Sequence, residues 1–178
     1  MKKFRGILPV IAGALVFLLS GGAFAESLYF YDTSGGKVSL DNFKGKPTVV
    51  FVYKKNCAIC LNMLMELDRV KPALENEVNI VPVMVEDAST IAARRLFTRL
   101  DIRTLPIYLD KDDVLSPNWG FRVTPVTVLI SADGTVIKKV AGKMDWTGPF
   151  FADEIRELKG FSGSYEGILQ KKEGEIKR

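Results

Sequence analysis

The chain alternates between short runs that are apolar throughout or at every second position and longer runs with an apolar residue every three or four. Residues 49–53, Val-Val-Phe-Val-Tyr, form the pattern of a buried strand. From Ala58 the period changes. Ile59, Met63, Leu64, Leu67 and Val70 recur at three- and four-residue steps, which predicts a helix to about residue 76, bent at Pro72. A second apolar strand is expected over 78–85. Ser89 is placed to cap a helix reaching about residue 100. A third strand is expected over 105–109, a short helical segment over 114–120 around Trp119, and a fourth strand over 126–130. Ala132-Asp133-Gly134-Thr135 is a hairpin turn, 136–141 the returning strand, and 146–158 a closing helix. Ahead of the core strand, 27–32 and 37–40 read as a hairpin about Thr33-Ser34-Gly35-Gly36, and 41–47 as a turn or short helix. Strands alternating with helices imply an α/β layout with parallel strands, to which the terminal hairpin adds an antiparallel edge.

The two ends stand apart from this pattern. Met1-Lys2-Lys3-Phe4-Arg5 is basic, residues 7–19 are apolar apart from Pro9, and Ala23-Phe24-Ala25 offers a small-x-small cleavage site. Residues 1–25 therefore read as a secretory signal peptide, either removed or kept as an N-terminal membrane anchor. Both outcomes put the folded part outside the cytoplasmic membrane. Residues 26–160 form one domain, and 161–178 a polar, Gly- and Lys-containing tail.

Charge changes this picture little. The formal net charge of +4 falls to +1 once Lys2, Lys3 and Arg5 are set aside, so nothing calls for a nucleic-acid partner. The absence of histidine removes histidine base catalysis, histidine metal sites and a Cys-x-x-Cys-His haem attachment. Two cysteines alone do not complete a structural zinc site, so neither metal nor cofactor is expected.

Those two cysteines, Cys57 and Cys60, carry the candidate chemistry. Cys57 falls at the helix N-terminus, where free backbone N–H groups and the helix dipole stabilise a thiolate. Cys60 lies one turn further in, within reach of a disulfide. An accessible nucleophile with a resolving thiol behind it is what thiol–disulfide exchange needs.

Around this pair the chain resembles the thioredoxin superfamily, and within it the extracytoplasmic TlpA/ResA-type redoxin proteins. The resemblance is carried by Leu40-Asp41-Asn42-Phe43-Lys44-Gly45-Lys46-Pro47, by Cys57-Ala58-Ile59-Cys60, by residues 119–130 with Thr124-Pro125, and by Ala132-Asp133-Gly134. It spans roughly residues 37–158. It implies a thioredoxin-like fold: a central mixed sheet flanked by helices, with an N-terminal β-hairpin. Pro125 follows Cys60 by 65 positions, which leaves room for an inserted strand–helix unit. It also implies a cis Thr124–Pro125 bond facing the cysteines, with Thr124 and Pro125 binding the substrate's extended backbone.

The chain departs from its relatives in three places. Asn56 replaces a tryptophan, Phe51 a buried aspartate, and Met63 a glutamate. The acids that handle protons for the second cysteine in relatives are thus absent at their usual places. Glu86 and Asp87, at a neighbouring strand end, are either a substitute proton relay, with Glu86 the one to test, or simply a solvated strand end. Lys54 and Lys55 precede Cys57, where they either favour its thiolate or serve solubility alone.

The expected activity is thiol–disulfide oxidoreduction outside the cytoplasm, chiefly reduction of disulfides in partner proteins. The partners would be proteins with disulfides or thiols and a membrane dithiol electron donor, and the resemblance points to cytochrome c maturation. The competing reading is a non-catalytic binding domain holding a static Cys57–Cys60 bridge. A Sco-type copper chaperone needs a histidine, and a peroxiredoxin needs a peroxidatic Thr-x-x-Cys; neither is found.

Overall fold

The computed structural model describes residues 27–161 except residue 75. The expected leader over 1–25 and all but the first residue of the expected tail lie outside the described residues. The core strand is β3, Thr48–Tyr53, in which all six residues are buried. Being covered on both faces, it is apolar apart from the hydroxyls of Thr48 and Tyr53 at its two ends. Its odd residues Val49, Phe51 and Tyr53 join one apolar cluster with the helix that follows, and Val50 and Val52 join a second cluster on the opposite face.

Around it lie β1 (Tyr29–Tyr31), β2 (Lys37–Ser39), β4 (Asn79–Met84), β5 (Tyr108–Leu109), β6 (Val126–Ile130) and β7 (Val136–Ala141). They form one sheet in the order β2-β1-β5-β4-β3-β6-β7. β4 runs parallel to β3 and to β5, whereas β6 and β7 are antiparallel additions on the other side. The N-terminal hairpin joins through the single pair Tyr31↔Leu109. This is the mixed sheet expected.

Helices α1 (Ala58–Leu74), α2 (Thr90–Leu100), α3 (Leu115–Trp119) and α4 (Pro149–Arg156) complete the fold. Two strand–helix units, β4–α2 and β5–α3, lie between Cys60 and Pro125, which accommodates the expected insertion. α1 begins where its apolar period begins and stops two residues short of expectation, with Pro72 in its last turn. α2 starts as read: the Ser89 hydroxyl accepts the Ala92 N–H at 3.1 Å.

Two elements differ from expectation. The strand expected over 105–109 shrinks to Tyr108–Leu109. The N–H groups of Thr104 and Leu105 are bound by the Asp68 carboxylate at 2.8 and 3.0 Å, so they are not available to a sheet ladder. Proline at 106 brings no N–H, and Pro82 brings none to the facing edge of β4. The closing helix begins at Pro149, not at residue 146. Trp146 is fully buried ahead of it, its indole N–H donating to the Met63 carbonyl at 3.0 Å and its ring edge-on to Phe51 and Phe151. A tryptophan serving as core anchor thus looks, in apolar spacing, like a first helical turn.

Candidate active site

β3 ends at Tyr53, and the four residues Lys54, Lys55, Asn56 and Cys57 turn the chain into α1. Cys57 stands at the helix N-terminus, its carbonyl accepting the Leu61 N–H at 3.0 Å. It is bonded to Cys60, with Cα atoms 5.1 Å apart. The Cys60 N–H donates to the Cys57 sulfur at 3.2 Å, so an orphan donor of the first turn is aimed at this sulfur. Cys57 is half-buried and Cys60 is completely buried in the α1-side cluster. One sulfur therefore meets incoming groups and the other sits behind it.

The Thr124–Pro125 bond is cis, and the Thr124 carbonyl oxygen lies 4.0 Å from the Cys57 sulfur. The Pro125 carbonyl is taken by the Gly142 N–H at 2.9 Å, which anchors this loop to the end of β7. Three distant segments thus meet at Cys57: its own loop, the start of β6, and the end of β4.

The end of β4 carries Glu86 and Asp87. Both have left-handed backbones, φ 54° and 43°, which is uncommon outside glycine. Glu86 pairs with Lys54, and Asp87 pairs with Lys55 at 3.2 Å. These four residues, Asn56 and Cys57 line one recess. A longer groove continues from Lys54, Glu86 and Asp87 to Phe121, Arg122 and Thr124. The Glu86 carboxylate is exposed and faces the recess that holds Cys57; Cys60 is not part of that lining. Two aliphatic side chains, Ile59 between the cysteines and Val123 beside Thr124, are exposed.

Phe51 and Met63, which stand where the resemblance leads one to expect acids, are buried in the cluster that holds Cys60. Cys60 therefore has apolar company, as their residue types imply. The structure adds a group that pattern reading passed over. Tyr53 is fully buried, its ring stacked on Phe51 with centroids 5.9 Å apart, and its hydroxyl has no hydrogen-bond partner among the described residues. Burial pushes its phenol pKa above the ordinary value. The signal was a polar atom at a position facing the core, hidden by tyrosine's frequency in ordinary strands.

With this geometry in view, comparisons with known proteins agree on one lineage. Residues 22–139 match the model of the AhpC/TSA family. The thiol-disulfide oxidoreductase ResA of Bacillus subtilis is 28% identical over 162 residues, covering 81% of this chain and 89% of its own. ResA of Bacillus cereus is 24% identical over 148 residues, covering 77% and 85%. Among solved structures, the exposed lipoprotein thioredoxin Etrx1 of Streptococcus pneumoniae superposes with a TM-score of 0.65 at 21% identity, covering 74% of this chain and 99% of its own. The chain belongs to the AhpC/TSA family, and within the thioredoxin superfamily it is a ResA/TlpA-type protein disulfide oxidoreductase.

Proposed function

We propose that the protein works outside the cytoplasm as a reductase of partner-protein disulfides, with Cys57 as nucleophile and Cys60 as resolving thiol. The observation that carries this reading is the asymmetry of the pair: Cys57 is half-buried at a helix N-terminus and Cys60 is fully buried. In the reduced protein the Cys57 thiolate attacks one sulfur of a partner disulfide. That S–S bond breaks, a mixed disulfide forms, and the partner's other sulfur leaves as a thiolate and takes up a proton. Cys60 then loses its proton and attacks the Cys57 sulfur. The mixed disulfide breaks, the second partner thiol leaves, and the pair is oxidised. Two electrons have moved from the protein to its partner. A membrane dithiol donor returns them.

Thr124 and Pro125 are the proposed substrate-binding residues. The Thr124 carbonyl stands beside the Cys57 sulfur and would pair with the backbone of an extended segment crossing the site. Ile59 and Val123 would flank that segment with apolar contacts. Glu86 is the proposed proton relay, on the wall of the Cys57 recess. Export rests on the leader over residues 1–25 and is supported by the description of Etrx1 as an exposed lipoprotein. The resemblance to TlpA/ResA-type proteins extends the proposed partners to apocytochrome c, whose thiols must be reduced before haem attachment.

Trapping tests the assignment. Cys60→Ser removes the resolving thiol, so partners should accumulate on Cys57 as mixed disulfides that a reductant releases. Cys57→Ser should capture none. Capture by Cys57→Ser alone would reverse the two roles.

A further inference from the structure

Tyr53 is the last residue of β3, four positions ahead of Cys57. It faces the same side of the sheet as Val49 and Phe51 and shares a core cluster with Cys60, against which Cys57 also packs. Its hydroxyl is buried without an acceptor in the disulfide form. A buried donor without an acceptor is costly and calls for a reason. Three side-chain hydroxyls are in this state among the described residues, those of Tyr53, Thr127 and Ser131. Only Tyr53 lies on the strand that runs directly into the dithiol.

The surroundings hold no competing charge. α1 brings Cys60, Met63 and Leu64 to this cluster, β4 brings Met84, α2 brings Ala93, and Trp146 belongs to it as well. The nearby charged groups are occupied elsewhere. Glu86 and Asp87 pair with Lys54 and Lys55 at the rim, and Asp68, further along α1, binds the backbone of residues 103–105. Burial without a neighbouring charge keeps the phenol protonated, so it acts as a donor and not as a base.

We infer that the Tyr53 hydroxyl is held in reserve for the Cys60 sulfur, to which it donates a hydrogen bond once the disulfide is open. This rests on Cys60 being the resolving thiol. Opening the disulfide releases the Cys60 sulfur from its covalent partner, and ionisation makes it a strong acceptor. A hydrogen bond to an ionised acceptor is among the stronger ones. In resolution, the Cys60 thiolate attacks the Cys57 sulfur and the bond from Cys57 to the partner breaks. The departing partner sulfur takes up one proton, which balances the one Cys60 gave up. The Tyr53 proton stays on its oxygen throughout. Tyr53 is thus a positioning residue that assists the Cys60 thiolate where Phe51 and Met63 offer nothing. Because its hydrogen bond exists only with the disulfide open, it also favours the reduced form.

Tyr53→Phe keeps the ring and removes only the hydroxyl. Three quantities are measured on full-length parent and variant. These are the rate of mixed-disulfide resolution against pH, the Cys57–Cys60 equilibrium with glutathione, and the iodoacetamide labelling rates of the two thiols. Resolution at pH 7 should slow about tenfold, with its pH profile displaced upward. The glutathione equilibrium should move about tenfold toward the disulfide, which corresponds to about 30 mV. Cys57 labelling should be unchanged, and the oxidised variant should unfold at the same temperature as the parent or higher, since no bond was lost there. Superimposable resolution profiles, with Cys57 still labelled first, would overturn the role of the hydroxyl and leave the dithiol assignment standing. Lower stability of the oxidised variant would also overturn it, because the hydroxyl would then already have a partner. Labelling of Cys60 ahead of Cys57 would remove the assignment beneath it and this inference together.

Discussion

Lys54 and Lys55 stand in the loop that carries Cys57, yet each faces a carboxylate, Glu86 and Asp87. Exposed pairs of this kind contribute roughly 0–1 kcal/mol to stability. Their consequence is local: the carboxylates offset two positive charges beside the sulfur that the proposed mechanism makes a thiolate. Glu86→Gln leaves Lys54 unopposed, so iodoacetamide should label Cys57 a few-fold faster at low salt, roughly threefold, and the gain should fade as salt screens it. If Glu86 relays protons, the same variant should resolve mixed disulfides more slowly. Unchanged labelling and unchanged resolution would show the carboxylate idle. In the parent, Cys57 should be labelled at least about tenfold faster than Cys60, because only a thiolate that the reagent reaches can react. At this scale the sequence was legible where residue type dictates chemistry. Cys57, Cys60 and Pro125 could be placed because few residues do what cysteine and proline do. The Tyr53 hydroxyl and the left-handed turn at Glu86 and Asp87 could not. Whether a phenol finds an acceptor, or a strand end turns back on itself, is settled by packing.

Asp68 shows how elements lock the dithiol helix in place. It lies in the middle of α1 with only 9% of its surface exposed. Its carboxylate accepts N–H groups from Arg103, Thr104 and Leu105 and the Thr104 hydroxyl, at 2.8–3.1 Å for the shortest contact of each. The clamp ties α1 to the loop between α2 and β5. Burial pushes the Asp68 carboxyl pKa up, but the bonds from the Thr104 side chain and the three backbone groups outweigh it, and the net shift is downward. A depressed folded-state pKa contributes stability that is fully present above the unfolded value of about 3.9 and is lost as pH falls through the folded value. Asp68→Ala should therefore cost roughly 3 kcal/mol at pH 7 in urea unfolding, and less at an acidic pH below the folded-state value, where the parent has lost that contribution. An equal cost at both pH values would place the effect in packing. The clamp also explains why β3, α1, α2 and β6 were readable and β5 was not. The first four follow from periodicity and a serine cap. β5 depends on an acid 35 or more residues away that claims the backbone its apolar residues seemed to offer.

For the molecule as a whole, the question is what the disulfide does for the fold. Cys57 and Cys60 are three positions apart, so the bridge closes a very short loop. In the chain-entropy account a loop of this size restricts the unfolded chain little, for roughly 2 kcal/mol, against about 4.7 for a loop of 100 residues. The core does not depend on it. Trp146, Phe51 and Phe151 pack edge to face behind α1, and β3 is fully covered on both sides. Reduction should therefore leave the sheet and α1 folded, with unfolding stability lower by at most about 2 kcal/mol and no loss of far-ultraviolet circular dichroism. The same small coupling bears on redox poise. Over a closed cycle, the stability gained from the bridge equals the extra ease of forming it in the folded state compared with the unfolded chain. A bridge that adds little stability is one that the fold does not hold shut. Its reduction potential should accordingly lie above the region below about −300 mV that static structural disulfides occupy. Equilibration with glutathione or dithiothreitol buffers, read by thiol labelling, measures the potential directly, and urea titration of the oxidised and reduced proteins measures the stability difference. A large difference together with a potential below that bound would make Cys57–Cys60 a structural staple. A small difference with a higher potential is the behaviour of a pair that opens and closes in use.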